Sequence, residues 1–306
     1  MIFDIVRLSC RRPAPVSSVC SKLGISERAL VAEIKKAGKS GYHVTIHDGF
    51  VSSFRPIGAE KTVTIGASAP GRHHVAVATD WHVGSDHCDE KGFAEFLRIA
   101  WKKGCRSAVA TGDLLDGNKD VLLRDQKLVG YEHQASRAVE LVKAAPAFDW
   151  VAIDGNHDGY FSASGGLTCG KLLEAEMRAA GVAWTFSGVC LGRAIVHGAR
   201  WQLWHPHGGA STRNAVRRIL NARAETLQER CDILAIGHFH KFVSLPIYPE
   251  GVHGIAGGTF QTKNSEFANR ISNNWDVGGT IVSYTVGRRG GVSEVSAEFL
   301  PVRGAR

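Results

Sequence analysis

The chain has 306 residues, 44% of them hydrophobic and 22% charged, with a formal net charge of +8. These values are ordinary for a globular protein of one large or two unequal domains. No apolar run approaches the roughly 20 residues of a membrane span. The start, MIFDIVRLSCRRPAP, carries Asp4 and lacks the long apolar core of a secretory signal. Seven scattered cysteines without a CxxC pair exclude a disulfide framework and fit reduced thiols, so a soluble, cytoplasmic protein with no membrane partner is expected. The positive charge admits a polyanionic partner without demanding one.

Residues 17–24 read as a short helix with a Ser cap, closed by Gly24. Ser26 opens a second helix over 27–37, with Leu30, Val31 and Ile34 on one face. Two β-type runs, 42–47 and 50–54, flank Asp48-Gly49, a strong hairpin signal. Helix, turn, helix and hairpin together resemble a winged helix-turn-helix. That resemblance makes Glu27, Arg28, Lys35, Lys36 and Lys39 recognition-helix candidates, and puts His43 and His47 on the wing. Residues 1–70 carry ten Lys and Arg against five Asp and Glu, so this segment is +5, more than half the chain's net charge. DNA is the expected partner, through Arg28, Lys35, Lys36 and Lys39, with packing on a neighbour or protein binding as the plainer alternative. Residues 55–72, rich in Gly, Ala, Ser and Pro, read as a connector with a strand at 62–65. The expected division is therefore 1–70 as docking module and linker, and 71–306 as catalytic body.

In the body an apolar strand at 74–79 runs straight into Asp80-Trp81-His82. Side chains two apart on an extended chain point the same way, so Asp80 and His82 can share one cation. A helix follows at 91–103, with Phe93, Phe96, Leu97 and Ala100 on its apolar face, and then a strand at 107–111 ending in Gly112-Asp113-Leu114-Leu115-Asp116. A long helix over 120–144 leads to a strand at 150–153 and Gly155-Asn156-His157-Asp158. The strand 199–204 enters His205-Pro206-His207-Gly208-Gly209. After a helix at 211–229, the strand 232–236 enters Gly237-His238-Phe239-His240. Alone, GNHD is an ordinary polar turn. Open α/β sheets, however, gather the C-terminal ends of their strands along one edge, so five such ends bring their side chains together.

The ordered series DxH, GDxxD, GNHD, H(x)HGG and GHxH resembles the calcineurin-like metallophosphoesterases over residues 73–260. Within them it is most similar to the nuclease-type Mre11 and SbcD group and to phage- or archaeal-type DNA repair exonucleases. The resemblance implies an α/β (α+β) sandwich of two packed β-sheets flanked by helices, with two divalent ions at the strand ends. Asp80, His82 and His240 would hold the first ion and Asp113 would bridge. Asn156, His238 and one of His205 and His207 would hold the second, with His205 preferred because it is the first residue after its strand. His157 would be the catalytic histidine and Asp116 the carboxylate that orients it. Oxygen and imidazole donors without thiolate suit Mn²⁺ first, with Fe, Zn²⁺ or Mg²⁺ as alternatives, and argue against a structural zinc.

The implied activity is hydrolysis of DNA phosphodiester bonds by a nuclease, with exonuclease action expected. The alternatives are a phosphatase of small phosphoesters and a non-catalytic DNA-bound scaffold, the last disfavoured because every ligand position is filled. Protein phosphatases usually continue the second motif with Arg, whereas this chain reads Asp116-Gly117-Asn118, which speaks against a phosphoprotein substrate. The C-terminal stretch is too short for the separate DNA-capping domain of the Mre11 group, whose members often form homodimers. Trp81, Trp201, Trp204 and Phe239 neighbour ligand positions and are expected in the core, Trp81 and Phe239 being candidates for base or sugar contact. Thr259, Phe260 and Gln261 are expected to pack near the cleft.

Overall fold

The computed structural model describes residues 2–9, 14–39, 43–47, 49–54, 62–118, 125–161, 168–227, 229–262 and 274–302. Its N-terminal elements are α1 (Ile2–Ser9), β1 (Ala14–Pro15), α2 (Val16–Leu23), α3 (Glu27–Lys39), β2 (His43–His47) and β3 (Phe50–Phe54). The strands form a small sheet in the order β1-β3-β2, each pair antiparallel. Ile5, Val16, Val19, Leu30, Val44 and Val51 make up a separate apolar core for this unit. Gly24 closes α2 in the left-handed conformation at φ 63°, and the Ser26 hydroxyl accepts the Ala29 N–H to start α3. No serine caps α2, contrary to expectation. Its first amide, Val16 N–H, donates instead to the Gly49 carbonyl of the hairpin turn at 2.9 Å, so the helix begins where β1 leaves the sheet. On α3, Glu27, Arg28, Lys35 and Lys36 are exposed, and the Lys36 ammonium pairs with Glu33 at 2.6 Å. The side chains of Lys39, His43 and His47, and all of Asp48, lie outside the described residues.

The rest of the chain forms two six-stranded sheets. One contains β5 (Gly71–Val77), β6 (Ser107–Thr111), β7 (Asp149–Asp154), β8 (Trp184–Val189), β14 (Gly278–Val286) and β15 (Val292–Pro301), in the order β15-β14-β5-β6-β7-β8. The other contains β4 (Val63–Ile65), β9 (Leu191–Val196), β10 (Ala199–Trp204), β11 (Ile233–Ile236), β12 (Phe242–Ile247) and β13 (Val252–Gly257), in the order β12-β13-β11-β10-β9-β4. Strands β5 to β8 run parallel, as do β10, β11 and β13.

Period-two alternation builds the layers. Val75, Val77, Val109, Val151 and Ile153 point between the sheets, where they meet Ala194, Val196, Trp201, Leu203 and Ile255. Their neighbours Ala76, Ala108, Ala110, Trp150 and Ala152 point outward. There they pack under α4 (Glu90–Lys102), α5 (Tyr131–Lys143) and α6 (Cys169–Ala179), while α7 (Arg213–Glu225) covers the second sheet through Val216 and Leu220. The result is the expected sandwich of two sheets flanked by helices.

Three boundaries differ from expectation. The helix before β7 begins at Tyr131 rather than near 120, because Ser85 pairs with Gln126, and Lys127 and Leu128 donate to the Gly84 carbonyl. The helix after β10 is shorter than 211–229: the Thr212 hydroxyl caps it through Ala215 N–H, and it ends at Glu225. The strand expected at 62–65 is present as Val63–Ile65, but it pairs in parallel with β9 as an edge of the second sheet and so belongs to the body rather than to the N-terminal module.

Candidate metal centre

Five strand ends meet at one edge. Asp80 and His82 follow β5, Asp113 and Asp116 follow β6, Asn156 and His157 follow β7, His205 follows β10, and His238 and His240 follow β11. The first two loops remain paired beyond their strands, Asp80 N–H donating to Gly112 O and His82 N–H to Asp113 O, both at 3.1 Å. The glycines of these motifs allow close approach. A Cβ on Gly155 would lie 2.2 Å from Asp113 Oδ1, and one on Gly112 would lie 2.5 Å from His205 Nδ1. Asp80, His82, Asp113, His238 and His240 all have positive φ, from 51° to 79°. Each such conformation costs an L-residue about 1–3 kcal/mol, so five together rival the net stability of a whole domain, about 5–15 kcal/mol. Of the eight non-glycine residues with positive φ among the described residues, these five gather at the strand ends, while Cys190, His197 and Glu294 are not motif residues; the gathering makes the strand ends a candidate functional site.

The side chains form three groups of possible ligands, one of which, His82, Asp116 and His157, shares His82 with the first of the two described next. Asp80, His82 and His240 each offer a donor atom within 4.8 Å of the others, and so do Asp113, His205 and His238. In the first group His82 Nε2 and His240 Nε2 are 3.2 Å apart, and Asp80 Oδ1 is 3.4 Å from His240 Nε2. In the second, Asn156 Oδ1 lies 3.1 Å from His205 Nε2 and 2.9 Å from His238 Nδ1. Asp113 stands between them, with Oδ2 3.2 Å from His205 Nε2 and 3.9 Å from His82 Nε2. His207 lies apart from both groups, its Nε2 3.1 Å from Cys190 Sγ. Between the two histidines of that loop, the geometry joins His205 to the cluster.

Charge is shared unevenly. Burial works against the Asp113 carboxylate, yet His205, His157 and His82 hold it well below the usual range. Burial likewise opposes a charged His205, but Asp113 lifts it to about 9. Burial and the neighbouring His205 lower His238 to about 4, leaving its ring neutral. Oxygen and imidazole donors, buried and convergent with paired ring nitrogens facing each other, suit divalent cations of the Mn²⁺, Fe or Zn²⁺ type.

His157 is held from two sides. Its backbone N–H donates to Asp113 Oδ1 at 2.8 Å, and its Nδ1 sits 2.7 Å from the backbone carbonyl of Asp116. A carbonyl oxygen only accepts, so Nδ1 carries the proton and, in the neutral ring, Nε2 does not. The Asp116 carboxylate was expected to orient this ring, but it lies 3.8 Å from His157 Nδ1. It approaches His82 Nδ1 instead, at 3.2 Å, and accepts from Gln126 Nε2 at 2.9 Å. Residue 116 thus positions His157 through its main chain and His82 through its side chain.

Several supports carry no motif. The Thr111 hydroxyl donates to that of Thr79, which donates to Asp80 Oδ2, both at 2.8 Å. The Thr259 hydroxyl and the Phe260 N–H both donate to the Asp80 carbonyl. Asp158 holds its turn by accepting from the backbone N–H groups of Leu114, Leu115 and Gly155. The Trp275 ring lies 4.4 Å from that of His240. Trp81 and Phe239, candidates for base contact, are each 1% exposed. Trp81 packs on Phe93, Trp150 and Trp184, and Phe239 belongs to the core beneath α7, so neither reaches a substrate.

No protein-family model and no curated protein matches the chain. Among solved structures it is similar to a predicted phosphoesterase of Streptococcus pneumoniae TIGR4, at 11% identity and a TM-score of 0.34, over 76% of this chain and 99% of that one. It is also similar to Vps29 of Entamoeba histolytica complexed with Zn²⁺, at 15% identity and a TM-score of 0.37, over 74% of this chain and 98% of that one. Among the described residues no helix is long and apolar enough to cross a membrane.

Proposed function

We propose that the protein is a phosphodiesterase dependent on two divalent cations, Mn²⁺ foremost, and that it hydrolyses DNA. The observation that carries this reading is the position of Asp113. One of its oxygens lies between the two ligand groups while the other fixes the backbone of His157. Asp80, His82 and His240 would hold one ion, and Asn156, His205 and His238 the other, with Asp113 shared. A bound pair of divalent cations supplies a water of lowered pKa and clamps the phosphate oxygens. The chain's own contribution is to orient and to move a proton. Burial holds the His157 ring below its ordinary pKa, so with Nδ1–H anchored on Asp116 O the resting ring is neutral with Nε2 unprotonated. A proton taken up at Nε2 would then stabilise developing charge or pass to the leaving oxygen.

The N-terminal unit supports the choice of DNA. Three helices and a three-stranded sheet, in the order α1-β1-α2-α3-β2-β3, suit a winged helix-turn-helix. The exposed Arg28 and Lys35 lie two turns apart on one face of α3. The test is to incubate purified protein and Mn²⁺ with labelled single- and double-stranded DNA, bis-p-nitrophenyl phosphate and p-nitrophenyl phosphate. DNA and diester cleavage that disappears in His157→Ala supports the reading. Turnover of the monoester alone contradicts it and points to a small-molecule phosphatase.

A further inference from the structure

We infer that Tyr160 is a stacking platform for a nucleobase flanking the scissile bond. This rests on the phosphodiesterase reading above and adds to it the part of the substrate that is recognised. Trp81, Trp150, Trp184 and Phe260 are buried, whereas Tyr160 is 37% exposed; Tyr248 is more exposed still, at 80%, but it follows the end of β12 remote from His240. Tyr160 emerges next to the residue that would meet the leaving group. Its N–H donates to the His157 carbonyl at 3.0 Å, and the two rings lie 5.3 Å apart, tilted by 51°. The His157 side chain is itself 19% exposed while the Asp113 and His205 side chains are 2% and 0%. Asn156 and His238 are partly exposed as well, so the cluster is open at the ends of β7 and β11, and Tyr160 stands beside His157 at that opening.

The ring is seated on a built floor. Gly117 follows Asp116 at φ 86°, and a Cβ there would come within 2.5 Å of Tyr160 Cδ2 and 2.7 Å of His157 O. Position 117 thus requires glycine on two counts: its backbone conformation and the ring lying against it. Gly117 is in turn clasped by two side chains. Its N–H donates to Gln134 Oε1 at 3.1 Å, and its carbonyl accepts from Gln134 Nε2 at 2.9 Å and Gln126 Nε2 at 2.7 Å. Gln134 is completely buried. Tyrosine, with two side-chain torsions and a rigid backing, offers a flat apolar face at little entropic cost. Every base has a π-face to match it, so the contact is tolerant of sequence. A phosphoserine or a small alkyl ester presents nothing flat to that surface.

The test uses the full chain with Ca²⁺, wild type, Tyr160→Phe and Tyr160→Leu. The probes are dinucleotides carrying 2-aminopurine in turn on either side of the phosphate, and their abasic counterparts. Stacking quenches 2-aminopurine emission. Expected are quenching by wild type and Tyr160→Phe for one placement of the base, and loss of quenching with about tenfold weaker binding in Tyr160→Leu. The abasic dinucleotide should bind wild type about as weakly as the base-bearing one binds Tyr160→Leu. Undiminished quenching by Tyr160→Leu, or equal wild-type affinity for abasic and base-bearing probes, overturns the assignment. Turnover of bis-p-nitrophenyl phosphate with Mn²⁺ separates the two ideas. Quenching without turnover supports the platform and removes the phosphodiesterase reading, whereas turnover without quenching does the reverse.

Discussion

Asp116 Oδ1 lies 3.2 Å from His82 Nδ1, on the far side of the imidazole from the Nε2 that meets His240. A carboxylate at that distance draws the ring proton to Nδ1 and leaves the Nε2 lone pair directed into the cluster. Outer partners of this kind typically govern metal affinity by 10–100-fold. Asp116→Asn should therefore weaken binding of the first Mn²⁺ by about that factor, measured by calorimetric titration. An affinity unchanged by the substitution would separate Asp116 from metal binding.

His205 and His207 share a loop but not a role. His205→Ala should remove one of two bound ions, as counted by elemental analysis of protein dialysed against Mn²⁺. His207→Ala, whose ring faces Cys190, should retain both. The reverse pattern would exchange the two assignments.

Stability of the metal-free protein should peak near neutral pH. His205 is raised from 6.5 to about 9 by Asp113 despite burial, so its contribution is complete below pH 6.5 and is lost as pH rises through about 9. His238 is lowered from 6.5 to about 4 by burial and His205. The unfolded chain therefore takes up that proton first, and stability falls as pH drops from 6.5 towards 4. The Tm measured in chelator should fall on both sides. Bound Mn²⁺ needs a neutral His205, so metal binding at pH 7 should release a proton and tighten as pH rises towards 9. Proton release is read from calorimetry in buffers of different ionisation enthalpy, and its absence would contradict the assignment of His205.

Charge on α3 gives a separate expectation. Arg28→Glu combined with Lys35→Glu should weaken DNA binding and lower the slope of log affinity against log salt by about 2. Hydrolysis of bis-p-nitrophenyl phosphate serves as the control, because that diester has no phosphate tract to reach these side chains. An unaltered salt slope would assign α3 to another partner.

Much of this arrangement was legible in the sequence because strand periodicity and strand-end chemistry are local. Asp80 and His82, like His238 and His240, lie beyond their strands in left-handed backbone, and it is this backbone rather than an extended strand that places Trp81 and Phe239 between them. Both rings enter the core rather than the cleft. Other features are products of tertiary packing. The Asp116 carbonyl that anchors His157, the Thr111–Thr79 relay and the Gln134 clasp of Gly117 join segments with no spacing rule between them. The parallel pairing of β4 with β9 spans more than 100 residues and has no hairpin or crossover signature in its short apolar run.

The central claim is that two ions and His157 act together on a phosphodiester. The most direct test measures bis-p-nitrophenyl phosphate turnover against bound Mn²⁺ in wild type and in His157→Ala. Turnover should rise as the second ion binds, and His157→Ala should bind both ions while losing about 10²–10⁴-fold in rate. Undiminished turnover in chelator-treated protein, or full turnover by His157→Ala carrying two ions, would contradict the account.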